Sequence, residues 1–419
     1  MPSISEPASP LRELSNGNKW NTASCNDIDK YLLTESDDET SESPIKMARW
    51  RLLRNKREAI SKFLQDHTEE ELPDYIDDLR HFASSPGGLI DDEFRAIIWP
   101  ILAANLVSKT DDNDCDETAD SDFESGLSQI SETSEDSELN VEDISIEELR
   151  NHPEWQQVEL DVNRTLKRFP PNITEKHRLT LQEELIPLIV RVLKTNRRYR
   201  YYQGFHDVCL TLILVCGVEK ALKTCILLAK SGCFNPYLLK TLEESVLKEL
   251  DLMYVILSRV EPQLERVMRR VELGSLFALS WPLTWFSHSL QQYPQIVRFF
   301  DFFLASHPLL PVYVCSTVVI FRKSAILSCE REMPFIHQLL SNMPHELPLD
   351  ALLSDAKYLA RLLKPCLLRG RYLQEYKNQV TTTPRHLTSA IPRYALQFVF
   401  VAGAASAAAG YFILSKYSL

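Results

Sequence analysis

Val158-Glu159-Leu160-Asp161-Val162-Asn163-Arg164 and Tyr201-Tyr202-Gln203-Gly204 are the stretches on which the reading of this 419-residue chain turns. In the first, Asp161 and Arg164 stand three residues apart, a spacing that places both on one face of a helix and lets them pair. In the second, Gln203 precedes a glycine, which permits close backbone approach or an unusual turn. Around it runs Arg197-Arg198-Tyr199-Arg200-Tyr201-Tyr202-Gln203-Gly204-Phe205-His206-Asp207, crowded with aromatic rings. Arginine and glutamine are the side-chain types that stabilise charge on a transferring phosphoryl group and orient an attacking water. Each element taken singly has a plainer reading. Asp161 and Arg164 would form a surface ion pair worth about 0.3 kcal/mol. Gln203 would be a surface side chain, and His206 and Asp207 would be polar groups starting a helix.

Working outward, the apolar pattern is helical almost without interruption from Ser145 to about Pro365. Thr174 with Glu175 opens a helix that runs through Leu193, with Pro187 inside it. Further helical windows fall at 206–216, 219–229, 238–259, 275–290, 295–304 and 311–327. Breaks are expected at Asn235-Pro236, Glu261-Pro262, Tyr293-Pro294, His307-Pro308 and Met333-Pro334. Upstream, helices are expected at 46–65, at 72–83, and from the capping residues Asp91 and Asp92 to about Val107. No run of period two argues for a strand, and no fixed-period repeat argues for a solenoid. The expected fold class is all-α: a multi-helix domain over 46–345, preceded by a disordered stretch at 1–45 and interrupted by a disordered acidic insertion at 108–143. Residues 346–390 read as a helical tether and 391–415 as a membrane anchor. In the insertion Ser121, Ser131, Thr133, Ser134 and Ser137 lie among carboxylates, a setting for acid-directed phosphorylation.

The net charge of −12 is uneven, with much of the excess between Asp111 and Glu148, where no Lys or Arg occurs. The absence of a basic-aromatic array argues against nucleic acid. With 11 glycines, and neither G-x-x-x-x-G-K-[ST] nor G-x-G-x-x-G, the chain lacks the two commonest nucleotide-cradling loops. Its nine cysteines are scattered without a C-x-x-C, which fits a reducing compartment better than a disulfide framework or a zinc site. The polar N-terminus lacks the apolar core of a signal peptide.

Tyr394 to Leu414 carries no charge. As a helix that run would measure about 32 Å, close to one hydrocarbon core. With Arg385 and Arg393 before it and only Ser415 to Leu419 after it, it reads as a tail anchor with the body in the cytosol. Its Ala- and Gly-rich make-up suits a thinner bilayer such as the endoplasmic reticulum. Gly403-x-x-x-Ala407 and Ser406-x-x-x-Gly410 could pair helices, though such spacings also arise by chance in an Ala-rich span, so self-association has weak support.

Order and spacing add what no single motif carries. Arg95-x-x-x-Trp99 comes first, then Val158-x-x-Asp161-x-x-Arg164, then Tyr201-x-Gln203-Gly204. Ser280-Trp281-x-x-Thr284-Trp285-Phe286 follows, expected as an aromatic helix, and then Arg298-x-x-Asp301-Phe302-Phe303-Leu304. Over about residues 85–345 this set resembles the TBC domain of Rab GTPase-activating proteins. Val158 replaces a frequent isoleucine, and the acidic insertion departs from a compact domain. The anchor, the run Arg168-Phe169-Pro170-Pro171 and the Tyr-Tyr-Gln-Gly form look like the endoplasmic-reticulum-anchored branch of that family.

The resemblance implies a GTP-bound Rab as partner, with Arg164 as an arginine finger and Gln203 as a glutamine finger lent to it. Asp161 would orient Arg164, Tyr201 and Gly204 would shape the loop of Gln203, and Arg95 and Trp99 would hold the first helices. No cofactor belongs to this chain, since GTP and Mg²⁺ would be the Rab's. The alternative is a membrane-anchored Rab-binding scaffold without catalysis, a form expected to have lost one finger residue or both. Taken by themselves, without the resemblance, Arg95 and Trp99 read as a cation–π pair one turn apart.

Overall fold

A computed structural model of the chain describes residues 44–108, 141–171 and 173–382. Every element among them is helical. Numbering the helices of nine residues or more, α1 is Pro44–Asp66, α2 Ile76–Ser84, α3 Asp92–Ser108, α4 Trp155–Leu166, α5 Glu175–Lys194 and α6 Phe205–Lys230. Next come α7 Val246–Val260, α8 Pro262–Arg270, α9 Tyr293–Leu304, α10 Leu310–Phe321, α11 Met333–Ser341, α12 Leu349–Leu362 and α13 Leu373–Thr382. The described residues up to Tyr376 form one compact unit, and the end of α13, from Lys377, belongs to a second.

Local chemistry sets many of the ends. The Thr174 hydroxyl accepts from the His177 N–H at 3.2 Å and so caps α5. Pro262, Pro294 and Pro334 each stand in the first turn of a helix, where their missing N–H costs nothing. The two windows expected at 206–216 and 219–229 meet within α6 at Gly217, whose positive, non-helical φ (φ 71°, ψ 166°) kinks the run between two helical segments.

The central helix α6 packs against α3 and α5, α5 against α4, and α10 against α7 and α12. Beside them lies an aromatic core. Phe286 stacks on Phe299 at 4.5 Å and 5°, Trp285 meets Phe300 edge-on at 5.2 Å, and Trp99 stacks on Phe300 at 5.6 Å. These rings are fully buried.

The structure corrects several expectations. The window 275–290 is not one helix: a 3-10 turn at Leu276–Ala278 leads into a short helix, Ser280–Leu283, and then the chain turns left-handed at Trp285 (φ 47°) and Phe286 (φ 68°). The Phe286 N–H reaches back to the Trp281 carbonyl at 2.8 Å, as in a left-handed helix cap. Two bulky residues there cost about 1–2 kcal/mol each. Burial of both rings in the aromatic core offsets that cost.

Arg95 and Trp99 do not form the expected cation–π pair. Both donate to Asp301 of α9, which is 0% exposed. Arg95 Nε lies 3.1 and 3.2 Å from its two oxygens, Arg95 Nη2 3.1 Å and Trp99 Nε1 2.8 Å, and the Leu89 N–H adds a bond of 2.9 Å.

Boundaries shift as well. Val141–Asp143, the end of the expected insertion 108–143, is a 3-10 turn whose Val141 is buried and whose carbonyl accepts from Arg191 Nε at 3.1 Å. Residues 109–140, the rest of that insertion, lie outside the described residues, as do 1–43. The expected tether 346–390 begins inside the folded body. Leu352, Leu353, Ala356 and Leu359 bury one face of α12 against the body, and Asp350 accepts from Arg298 Nε at 2.9 Å. The expected anchor, 391–415, is outside the described residues; among those described, no helix is long and apolar enough to cross a membrane.

Asp301→Ala should destabilise the folded body by about 3–5 kcal/mol, because it strands the buried Arg95 charge and the Trp99 and Leu89 donors. Urea denaturation followed by circular dichroism measures this, and a loss below 1 kcal/mol would contradict the role given to Asp301.

Candidate functional site

α4 and the loop before α6 build the site. Asp161 points inward from α4, with a side chain 1% exposed, whereas Arg164, one turn on, is 55% exposed. Their contact is Arg164 Nη1 to Asp161 Oδ1 at 3.3 Å. The expected surface ion pair is therefore lopsided: a buried carboxylate steadies the root of an outward-facing guanidinium. Asp161 Oδ2 takes two more bonds, from Gln157 Nε2 at 3.1 Å and from the Tyr201 hydroxyl at 3.2 Å. The Tyr201 bond joins the helix of Arg164 to the loop of Gln203. Burial, reinforced by the Asp161 and Asp207 carboxylates, holds the Tyr201 phenol well above its usual range, so it remains a donor.

Gln203 is half-buried between two anchored neighbours. On one side the Tyr202 hydroxyl donates to the Leu283 carbonyl at 2.9 Å. On the other, Gly204 has φ 117°, and a Cβ there would stand 2.8 Å from Thr284 Cγ2. The left-handed turn that follows Leu283 thus sets the floor on which the Gln203 loop rests. A shallow cavity of about 270 Å³ opens between α4 and α5, lined by Asn163, Leu166, Lys167, Glu175, Arg178 and Gln182. Leu160, one turn before Arg164, is exposed.

Of the expected site residues, Arg164, Asp161, Tyr201, Gln203 and Gly204 come together, whereas Arg95 and Trp99 serve the Asp301 centre. His206 and Asp207 are buried and hydrogen-bonded rather than simple helix-starting groups. Sequence reasoning missed Gln157 and Thr284. Gln157 was findable, standing four residues before Asp161 on the same helix face. Thr284 gave no signal of contact, because only the fold brings it to Gly204.

A family model for the Rab-GTPase-TBC domain matches residues 92–328. The chain belongs to the Rab-GTPase-TBC domain family. Among curated relatives of this TBC chain, mouse TBC1 domain family member 20 is 36% identical over 279 residues, covering 66% of this chain and 61% of that protein. The human protein of that name is 35% identical over 282 residues with the same coverage. The match thus spans about three-fifths of the length of these relatives. The GTPase-activating protein gyp10 of Schizosaccharomyces pombe is 29% identical over 213 residues, 49% of this chain and 55% of that protein. Among solved structures, the Ypt/Rab-GAP domain of Gyp1p covers 74% of this chain and 99% of its own with a TM-score of 0.52 and 16% identity, a likeness of fold.

Gly204→Ala should lower the melting temperature, since it combines an unfavourable backbone with a clash against Thr284. Thr284→Ser removes the clashing methyl, so the double variant should recover part of the loss, leaving a backbone cost of about 1–3 kcal/mol. Differential scanning calorimetry of the three variants checks this; strict additivity would contradict the contact.

Proposed function

We propose that this TBC-family chain accelerates GTP hydrolysis on a Rab GTPase by lending it Arg164 and Gln203. The observation that supports this most directly is the pairing of an outward Arg164 with a buried Asp161 whose other oxygen holds the loop of Gln203. Arg164 would spread its guanidinium over the oxygens of the transferring phosphoryl group, where negative charge accumulates. Gln203 would orient the attacking water in place of the GTPase's own glutamine. Asp161 would fix the direction of Arg164, Tyr201 and Gly204 would set the loop, and GTP and Mg²⁺ would stay with the Rab.

The uncharged 394–414 run supports a second part of the proposal: the body is held at the cytosolic face of the endoplasmic reticulum, and its partner is a Rab of the early secretory pathway. Deletion of 391–419 should release the protein from membranes. If the truncated protein still sediments with membranes after alkaline extraction, the anchor is elsewhere.

Arg164→Ala should abolish most stimulation, because such a finger is worth about 10³–10⁵ in rate, roughly 4–7 kcal/mol of barrier. Arg164→Lys should fail badly as well, since an ammonium cannot reproduce the planar fork. Gln203→Ala should be severely impaired. A Rab whose own catalytic glutamine is replaced should still respond to the wild-type protein. Single-turnover phosphate release from GTP-loaded Rabs measures all four, and an Arg164→Ala protein as active as wild type would refute the assignment. If no Rab responds to wild type, the scaffold reading stands instead.

A further inference from the structure

Behind Arg164 and Gln203 the side chains of four segments meet in one buried chain of hydrogen bonds. Its centre is His206, on the first turn of α6 and 3% exposed. The ring Nε2 lies 2.8 Å from Thr165 Oγ1, on α4 next to Arg164. The ring Nδ1 lies 2.6 Å from the Tyr201 hydroxyl, which in turn meets Asp161 Oδ2 at 3.2 Å. Beyond Thr165, Asp207 Oδ1 stands 3.3 Å from the threonine hydroxyl and Asp207 Oδ2 stands 2.8 Å from His288 Nδ1. Arg168 Nη1 closes the group on the His288 carbonyl at 3.0 Å. One imidazole therefore touches both the helix that carries Arg164 and the loop that carries Gln203.

The charge states follow from the neighbours. Burial, against the pull of Asp207 and Asp161, pushes the His206 pKa down, which keeps the ring neutral. Asp207 carries the negative charge: burial alone would raise its pKa, but the hydrogen bond from His288 and the charge of Arg168 hold it well below the carboxylate range. Tyr201 has one proton and two polar neighbours. Its hydroxyl lies between the Asp161 carboxylate, which can only accept, and His206 Nδ1, which the Gly204 N–H also faces at 3.4 Å. The Thr165 hydroxyl lies in the same way between His206 Nε2 and the Asp207 carboxylate, so both ring nitrogens are engaged.

We propose that His206 is a positioning residue for the Rab-activating site: a neutral ring, bonded at Nδ1 to Tyr201 and at Nε2 to Thr165, that holds Arg164 and Gln203 in mutual register. This rests on the finger assignment above and extends it. His206 does not reach the nucleotide. It acts through Tyr201 on Asp161 and the glutamine loop, and through Thr165 on α4. Two groups that must meet one phosphoryl centre tolerate little relative displacement, and an error of about 1 Å can cost 10²-fold in rate.

Two substitutions separate the arms. His206→Asn keeps an amide where Nδ1 stands and can still hydrogen-bond to Tyr201. His206→Gln extends toward Thr165 and leaves Tyr201 without its ring partner. In single-turnover phosphate release from a responsive Rab, His206→Gln should lose about 10–100-fold in maximal rate. The concentration giving half-maximal stimulation should stay unchanged, and His206→Asn should retain most of the rate. Tyr201→Phe should show a similar loss, and His206→Gln should add little on top of it. Equal impairment of the two His206 variants, additive losses with Tyr201→Phe, or losses that track the melting temperature would overturn the proposal. A readout independent of hydrolysis is ¹⁵N-histidine NMR of the full-length protein near neutral pH. A neutral His206 ring is expected, and an imidazolium would overturn the proposal. Failure of the wild-type protein to stimulate any Rab would bear on the finger assignment alone.

Discussion

A carboxylate sealed from water has to be met by donors on every side, and Asp301 is where this fold meets that constraint. With 0% exposure it accepts from the Leu89 N–H, from Arg95 and from the Trp99 indole, residues about 200 positions earlier in the chain. The loop that delivers Leu89 must come so close that a Cβ on Gly88 would overlap Asp301 Oδ2, and Gly88 also has φ 61°. α9 is thereby locked to α3, and the aromatic side of α9 is presented to Trp285, Phe286 and Trp99.

From that locked core the site follows in steps. The aromatic side of α9 receives Trp285 and Phe286 only if the chain leaves Ser280–Leu283 through two left-handed residues. The turn so formed exposes the Leu283 carbonyl and the Thr284 methyl, and the Tyr202 hydroxyl and Gly204 settle on them. Tyr201, next in line, is then aimed at Asp161. Arg164 ends with a steadied root and a free tip: the buried Asp161 holds the first while the guanidinium stays exposed.

Much of this was legible in order and spacing. Asp161 with Arg164 and the Tyr201 loop came together, proline marked helix starts at Pro262, Pro294 and Pro334, and Thr174 capped α5 as its position before Glu175 suggested. The errors share one cause. Reading 275–290 as a helix, Arg95 with Trp99 as a pair, and 346–390 as a tether all assume that a residue's partners are near it in sequence. In each case the partner is remote: the aromatic core, Asp301, and the pair α10 and Arg298.

What the sequence determined by itself is whatever depends on period and side-chain type. That covers the helical class, the positions of Arg164 and Gln203, the need for glycine at 204, and the sharing of a face by Asp161 and Arg164 on α4. Such properties are set by 3.6-residue geometry and by backbone freedom, which act over a few residues. Tertiary structure alone decided that Asp161 is buried while Arg164 is exposed, that Thr284 supports Gly204, and that His206 lies between Tyr201 and Thr165. Burial and long-range hydrogen bonding are properties of packed elements, and no local pattern specifies which remote group will complete a buried polar site.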